Sequence, residues 1–228
     1  VFADFVENGE YAKEVNPSIN AQAELGLYHS IGSDLRDITI KNDAINNETT
    51  DAYFASEKIK ITNSAAQSIV LKRPYGKVRV IATDLAELNI NVDPTDVTVT
   101  YTAKHPQAFN AVTGTIDAYD TNVEYSFTSE YAESVSKATL KDHYYTADYD
   151  AKKVTNANGL ERHSHMTLFT DYILASEQQE SIHFTMTVFD GEDVIKETHF
   201  STDIPVQRNY LTTIVGNVLT TATEINVT

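Results

Sequence analysis

The feature that most constrains this chain is a side-chain period of two. In Ser181 to Phe189, SIHFTMTVF, the apolar residues Ile182, Phe184, Met186 and Val188 alternate with His183, Thr185 and Thr187. The same alternation runs through Asp96 to Thr102, where Val97, Val99 and Tyr101 oppose Thr98, Thr100 and Thr102. It recurs in Glu57 to Asn63, with Ile59 and Ile61 between Lys58, Lys60 and Thr62. Successive side chains of a strand point to opposite faces, so each run predicts a strand with one face on a core and one in water. Antiparallel sheets have that character. Turn signals punctuate the runs. Asp190-Gly191 predicts a tight hairpin and Asn158-Gly159 a second turn, while Asn16-Pro17, Asp93-Pro94 and His105-Pro106 stop any preceding helix. Many short strands so spaced predict an all-β chain built as β-sandwiches.

With 228 residues and 41% hydrophobic content, the chain is long enough for one large or two modest domains with real cores. The stretch Asp117 to Asn122, DAYDTN, is the expected boundary. It gives an N-terminal sandwich over 1–118 and a C-terminal one over 119–228, on the expectation that Val97 to Ala103 and Phe109 to Thr113 complete the first sheet pair. Tyr131 to Lys141 predicts a short helix. Near the C-terminus, Leu211, Ile214, Val215, Val218 and Leu219 fit a helical spacing. The segment is rich in Thr, Val and Ile and carries Gly216, so a strand apolar on both faces, and hence covered on both sides, is the preferred reading.

A net charge of −16 repels nucleic acid and anionic membrane surfaces. The basic cluster Lys72, Arg73, Lys77 and Arg79 reads as a solvated strand edge guarded against pairing. No run of apolar residues is long enough for a membrane-crossing helix, and the absence of cysteine excludes disulfides and thiolate chemistry.

Sites for chemistry are few. His163 and His165 stand at i and i+2, so on a strand both imidazoles would share a face, with Asp142 and His143 as further candidate zinc ligands. No third ligand is dictated by the sequence, and the expectation is that no metal is held there. Asp190, Glu192 and Asp193 lack the spacing of a calcium loop. Ser134 and Ser136 have no identifiable base, and there is no G-x-S-x-G, P-loop or G-x-G-x-x-G. Tyr144, Tyr145 and Tyr149 could form a sugar-stacking platform, against the plainer role of tyrosines packed on a pleated surface. The reading is of a protein without catalytic residues and without a cofactor.

Several segments, in order along nearly the whole chain, resemble the fimbrillin-like surface proteins of anaerobic Gram-negative gut and oral bacteria. They are Phe2 to Val6 (FADFV), Ser33 to Ile40 (SDLRDITI), Asp51 to Ser56 (DAYFAS), Leu71 to Val80 (LKRPYGKVRV) with Thr83-Asp84, Ala108 to Gly114 (AFNAVTG), and the closing IPVQRNYLTTIVGNVLT. The resemblance implies two tandem β-sandwich domains of transthyretin-like topology and export as a lipoprotein precursor to the outer membrane. It further implies proteolytic removal of an N-terminal segment, and polymerisation into a fimbrium by donor-strand exchange between copies of this chain or related subunits. Under it, Phe2, Phe5, Val78 and Val80 would line the acceptor groove, and the donor would be Ile214 to Val227, through Ile214, Val215, Val218, Leu219, Ile225 and Val227. The chain opens at Val1-Phe2, inside what the resemblance makes an early strand, so the N-terminal sandwich is expected to lack its first strands here. The alternative is a surface adhesin or carbohydrate-binding lipoprotein that meets host or bacterial glycans or proteins through its tyrosine-rich loops.

Overall fold

The computed structural model describes residues 1–3, 29–40, 51–59, 66, 68–89, 91–120, 123–127, 153–155, 161–163 and 165–221. Fifteen strands occur among them: β1 Phe2–Ala3, β2 His29–Ile31, β3 Ile38–Ile40, β4 Tyr53–Phe54, β5 Tyr75–Ala82, β6 Asp96–Tyr101, β7 His105–Asn110, β8 Thr115–Asp120, β9 Val123–Phe127, β10 Lys153–Thr155, β11 Glu161–His163, β12 Met166–Leu174, β13 Glu180–Asp190, β14 Asp193–Val206 and β15 Leu211–Gly216. The helical content among these residues is a 3-10 turn at Leu85–Glu87. The fold is an all-β sandwich.

The main sandwich places the antiparallel sheet β14-β13-β6-β9 against the mixed sheet β12-β5-β15. The period-two alternation accounts for it directly. Ile182, Phe184, Met186 and Val188 on β13 and Val97, Val99 and Tyr101 on β6 all point inward and are buried. They meet Val78 and Val80 from β5, Phe169 and Ile173 from β12, and Ile214 from β15 in one core. β13 and β14 form the hairpin expected at Asp190-Gly191. Asp190 pairs with Asp193, and Gly191 takes φ 61°, the backbone a two-residue hairpin turn with glycine first requires. β10 and β11 pair antiparallel on either side of Asn158-Gly159, the turn itself lying outside the described residues.

A second, smaller core lies beneath the sheet β2-β3-β7-β8 and the pair β1-β4. Ile38, Phe54, Phe109 and Ala111 fill it together with Tyr75 and Leu174. Tyr75 opens β5 and Leu174 closes β12, so both strands reach from one core into the other.

Several expectations meet a different arrangement. The boundary at 118/119 falls inside β8, and it does not separate the cores. β5 pairs with β12 and β15, and β6 with β13 and β9, so residues from both halves of the chain share each sheet of the main sandwich. β6 and β7 belong to different sheets, although they are adjacent in sequence. Nearest-neighbour pairing along the chain, which suggested the boundary, is only a tendency in β-proteins. Glu57 to Ile59 is not a strand, and Ile59 is 44% exposed. The basic stretch is not an edge either: β5 is the centre of its sheet, with Lys77 and Arg79 on the face away from the core. Lys77 lies over the Tyr172 ring at 5.1 Å. The helix expected over Tyr131 to Lys141 lies outside the described residues.

Two buried titratable groups sit together in the main core. Tyr101 donates a hydrogen bond to Asp171 Oδ2 at 2.7 Å, and the His105 ring lies 4.2 Å from the Tyr101 ring. Burial pushes the Asp171 carboxyl up to about 7 from its ordinary 3.8, against the opposing hydrogen bond from Tyr101. Burial pushes His105 down to about 4 from 6.5. Asp171 therefore contributes stability that is full at low pH and lost as pH rises toward about 7. His105 contributes stability that is full above its unfolded value of 6.5 and lost as pH falls toward about 4. Between those values the two slopes oppose. We predict that Asp171→Asn makes stability fall on acidification across this window relative to wild type. His105→Gln should make it fall on alkalinisation. Each slope should approach about 1.4 kcal/mol per pH unit. Urea unfolding at four pH values checks this, and parallel curves for the three proteins would refute it.

Candidate functional site

The segments that stood out in sequence meet in space. Leu71 to Val80 and Gln207 to Thr213 are far apart in the chain but run side by side, because β15 pairs parallel to β5 from Leu211 opposite Lys77 to Gly216 opposite Ala82. The approach to this pair is fixed by Asn209. Its φ is 65°, a left-handed conformation that asparagine adopts more readily than most residues. In that conformation its N–H donates to Tyr75 O at 2.8 Å, and its Oδ1 accepts from the Arg73 N–H at 3.2 Å. Lys77 N–H then donates to Tyr210 O at 2.9 Å, and the parallel ladder follows.

Arg208 is the buried charge at this junction. Its Nε and Nη2 donate to Ala175 O at 3.1 and 3.0 Å, and Nη2 also donates to Gly114 O at 2.7 Å. The guanidinium lies over the rings of Phe54 at 4.9 Å and Phe109 at 5.4 Å, both members of the second core. Burial works against its charge, and Glu177, 3.7 Å from Nη1, offsets part of that. Glu177 itself is held below the usual carboxylate range by Lys72 first and Arg208 second. Gly114, at φ 73°, brings its carbonyl to Arg208; a Cβ there would sit 3.4 Å from the Phe54 ring. In front of the junction Arg73 pairs with Asp51 at 2.5 Å and donates to Tyr53 OH at 2.9 Å.

A second clamp lies at the far end of β15. Asp84 is fully buried, and its Oδ2 accepts from Leu219 N–H at 3.0 Å, Thr220 N–H at 2.7 Å and the Thr220 hydroxyl at 2.8 Å. Thr83 N–H donates to Gly216 O at 2.9 Å. The Thr83-Asp84 pair thus pins the chain as it leaves the strand.

These contacts place the residues expected to donate and accept strands. Ile214, Val218 and Leu219 are buried in the main core of their own chain. Val215 is 43% exposed, so β15 is covered on one face rather than both. Ile225 and Val227 lie outside the described residues. Val78 and Val80 are in the main core, with β12 and β15 on either side of β5, so an incoming strand would have to displace one of them. Phe2 sits apart from them, against the second core: it is paired with Phe54 in β1-β4 and stands edge-on to His29 at 5.3 Å. Phe5 is outside the described residues. Among the described candidates, Phe2 is therefore not brought together with Val78 and Val80.

His163 ends β11 and His165 precedes β12, with Ser164 outside the described residues, as are Asp142, His143, Ser134, Ser136, Tyr144, Tyr145 and Tyr149. Among the described residues no group of three His, Asp or Glu side chains is placed to hold a metal ion. What sequence reasoning missed is the role of Arg208, Asn209 and Asp84. Their only signal was their place inside the marker segments.

The fold and these junctions define an all-β sandwich protein in which several of the distinctive segments serve to lock β15 in place. The chain matches, over residues 1–228, the model of a family described as a family of unknown function (DUF6562), and it belongs to that family. No curated protein matches it. Among solved structures it is similar to the crystal structure of a candidate adhesin from Bacteroides ovatus, with 8% identity and a TM-score of 0.38, over 82% of this chain. The likeness spans 60% of that protein's length. The likeness to fimbrillin-like proteins stays a resemblance.

We predict that Asp84→Ala speeds amide exchange at Leu219 and Thr220 and costs about 1–3 kcal/mol, chiefly from the buried Leu219 amide left unmatched. Unchanged exchange at both amides would refute the clamp. Arg208→Lys should cost about 2–4 kcal/mol, because one ammonium cannot serve two carbonyls and two ring faces. Glu177→Gln should cost under about 1 kcal/mol, as its exposed partnership implies. Chemical denaturation of the three proteins measures both, and equal losses would overturn the ranking.

Proposed function

We propose that this chain is a structural subunit of the bacterial cell surface that works by assembly rather than catalysis. It takes a strand from a neighbouring copy after an N-terminal segment has been removed. The observation that carries the reading is β1. Among the described residues it is two residues long, it pairs with β4, and it meets the second core through the side chain of Phe2. Val1 adds two hydrogen bonds with Ala55: its O accepts from Ala55 N–H and its N donates to Ala55 O, each at 2.9 Å. Burial of one phenylalanine stabilises by only about 2–3 kcal/mol when complete, and Phe2 is half-buried. A longer donor strand would add backbone pairs along β4 and take the place of Phe2 over a second core whose Ile38, Phe54 and Phe109 are already buried. The ordered resemblance to fimbrillin-like proteins, in which such a segment is removed, supports the same reading.

The clamps at Arg208 and Asp84 limit which part of the C-terminus could act as donor. Withdrawing Ile214, Val218 and Leu219 from their own core would cost roughly 5–8 kcal/mol, before the lost hydrogen bonds. The donor within 214–227 is then the portion beyond Thr221, where Ile225 and Val227 supply the apolar side chains. Repeated head to tail, the contact gives an open filament. Outer-membrane attachment as a processed lipoprotein, and adhesion through the finished filament, belong to the same proposal.

The test is a protein with a cleavable site after residue 6. Cleavage and removal of the segment should lower the melting temperature and give filaments in negative stain. Adding back a peptide of residues 1–6 should restore the melting temperature and stop growth. A cleaved chain that stays monomeric at an unchanged melting temperature would sink the proposal.

A further inference from the structure

The sheet edges of this protein are not equally guarded. β14 carries Asp193, Lys196, Glu197, His199, Asp203 and Pro205, and its pairing with β13 shifts register twice. β12 has a register shift between Thr167 and Phe169 and holds Asp171. β8 carries Asp117 and Asp120. Charges, prolines and bulges of this kind discourage edge-to-edge pairing. β15 has none of them. Its sequence, LTTIVG, is uncharged, and its register on β5 runs without a shift over all six residues. Among the described residues β5 is its only strand neighbour. Leu211 is 47% and Val215 43% exposed, and Tyr210 just before them is more exposed still.

We propose that β15 is a self-pairing edge. Two copies of the chain join their β15 strands antiparallel about a twofold axis near Thr213, giving a continuous sheet β12-β5-β15-β15-β5-β12. The occupant is a second copy because the strand is complementary to itself. Centring the pair on Thr213 sets Leu211 against the partner subunit's Val215, an apolar cross-strand pair, and sets threonine against threonine. No charge meets its like across the axis. The same operation on β8 or β14 would bring charged side chains into the joint. Leu211, Thr213 and Val215 share the face away from the core, since Ile214 points inward. The contact is isologous and closes at two copies, unlike a head-to-tail strand donation. It does not depend on removal of the N-terminal segment. The joint is locally neutral on a chain of net charge −16, so association strengthens as salt screens the general repulsion.

The experiment uses the uncleaved chain in sedimentation analysis from micromolar to hundreds of micromolar. A monomer–dimer equilibrium whose dimer fraction rises with salt is expected. Val215→Lys, which puts a charge on the edge, should leave a monomer with unchanged circular dichroism and melting temperature. Val194→Lys, at the exposed end of guarded β14, should leave the dimer intact. Because the chain has no cysteine, Thr213→Cys offers a direct readout. Residues directly opposite across an antiparallel pair lie about 4.5–5.5 Å apart, within disulfide reach, so mild oxidation should link two copies covalently. A monomer at every concentration would overturn the proposal. So would a dimer that survives Val215→Lys or fails to cross-link through Thr213→Cys, or open-ended growth of the uncleaved chain.

Discussion

One desolvated guanidinium holds this molecule's parts in register. Arg208 has given up water, and it recovers that loss by donating to Ala175 O and Gly114 O, by lying on the faces of Phe54 and Phe109, and in part from the nearby Glu177 carboxylate. The two carbonyls come from segments bordering different sheets: Gly114 between β7 and β8, and Ala175 just after β12. Neither core can shift against the other without leaving a buried cation unmatched, which is far more costly than losing an apolar contact. The left-handed Asn209 beside it turns the chain onto β5, and the parallel pairing follows from that turn. Arg208 thus acts as a joint whose geometry dictates where the last strand begins.

The parts of the fold legible in the sequence are those set by local alternation. Val97, Val99 and Tyr101, and Ile182 through Val188, read as half-buried strands because a period of two is visible within six residues. The turn at Gly191 was legible for the same reason. Pairings between distant strands were not. No local signal says that β5 takes β12 on one side and β15 on the other, and the boundary drawn at DAYDTN assumed neighbours in sequence. Glu57 to Ile59 shows the converse failure: alternation in the sequence, but no strand over these residues, and Ile59 lies in solvent. The helical spacing of Leu211 to Leu219 had a different cause. Ile214 points into the core from a strand, while Val218 and Leu219 reach the same core from the turn after it.

The candidate site was legible only as a set of marker segments without roles. Arg208, Asn209 and Asp84 act mainly through backbone groups of residues elsewhere in the chain, and a sequence does not show which amide a carboxylate will meet. With the roles assigned, the markers read as devices for seating and holding the closing strand. Two of the buried polar groups of this family member, Arg208 and Asp84, act at this strand closure.

The parallel pairing of β15 with β5 bears on when the chain is able to fold. The main sandwich closes on β5 only when a strand about 134 positions further on arrives, since Leu211 lies opposite Lys77. Non-local pairings of that length form late, because the loop they close must be ordered first. A chain emerging N-terminus first keeps β5 open on one side until residues 211–216 are available. For this strand the order of synthesis and the order of folding part company: what is made early waits for a segment made much later.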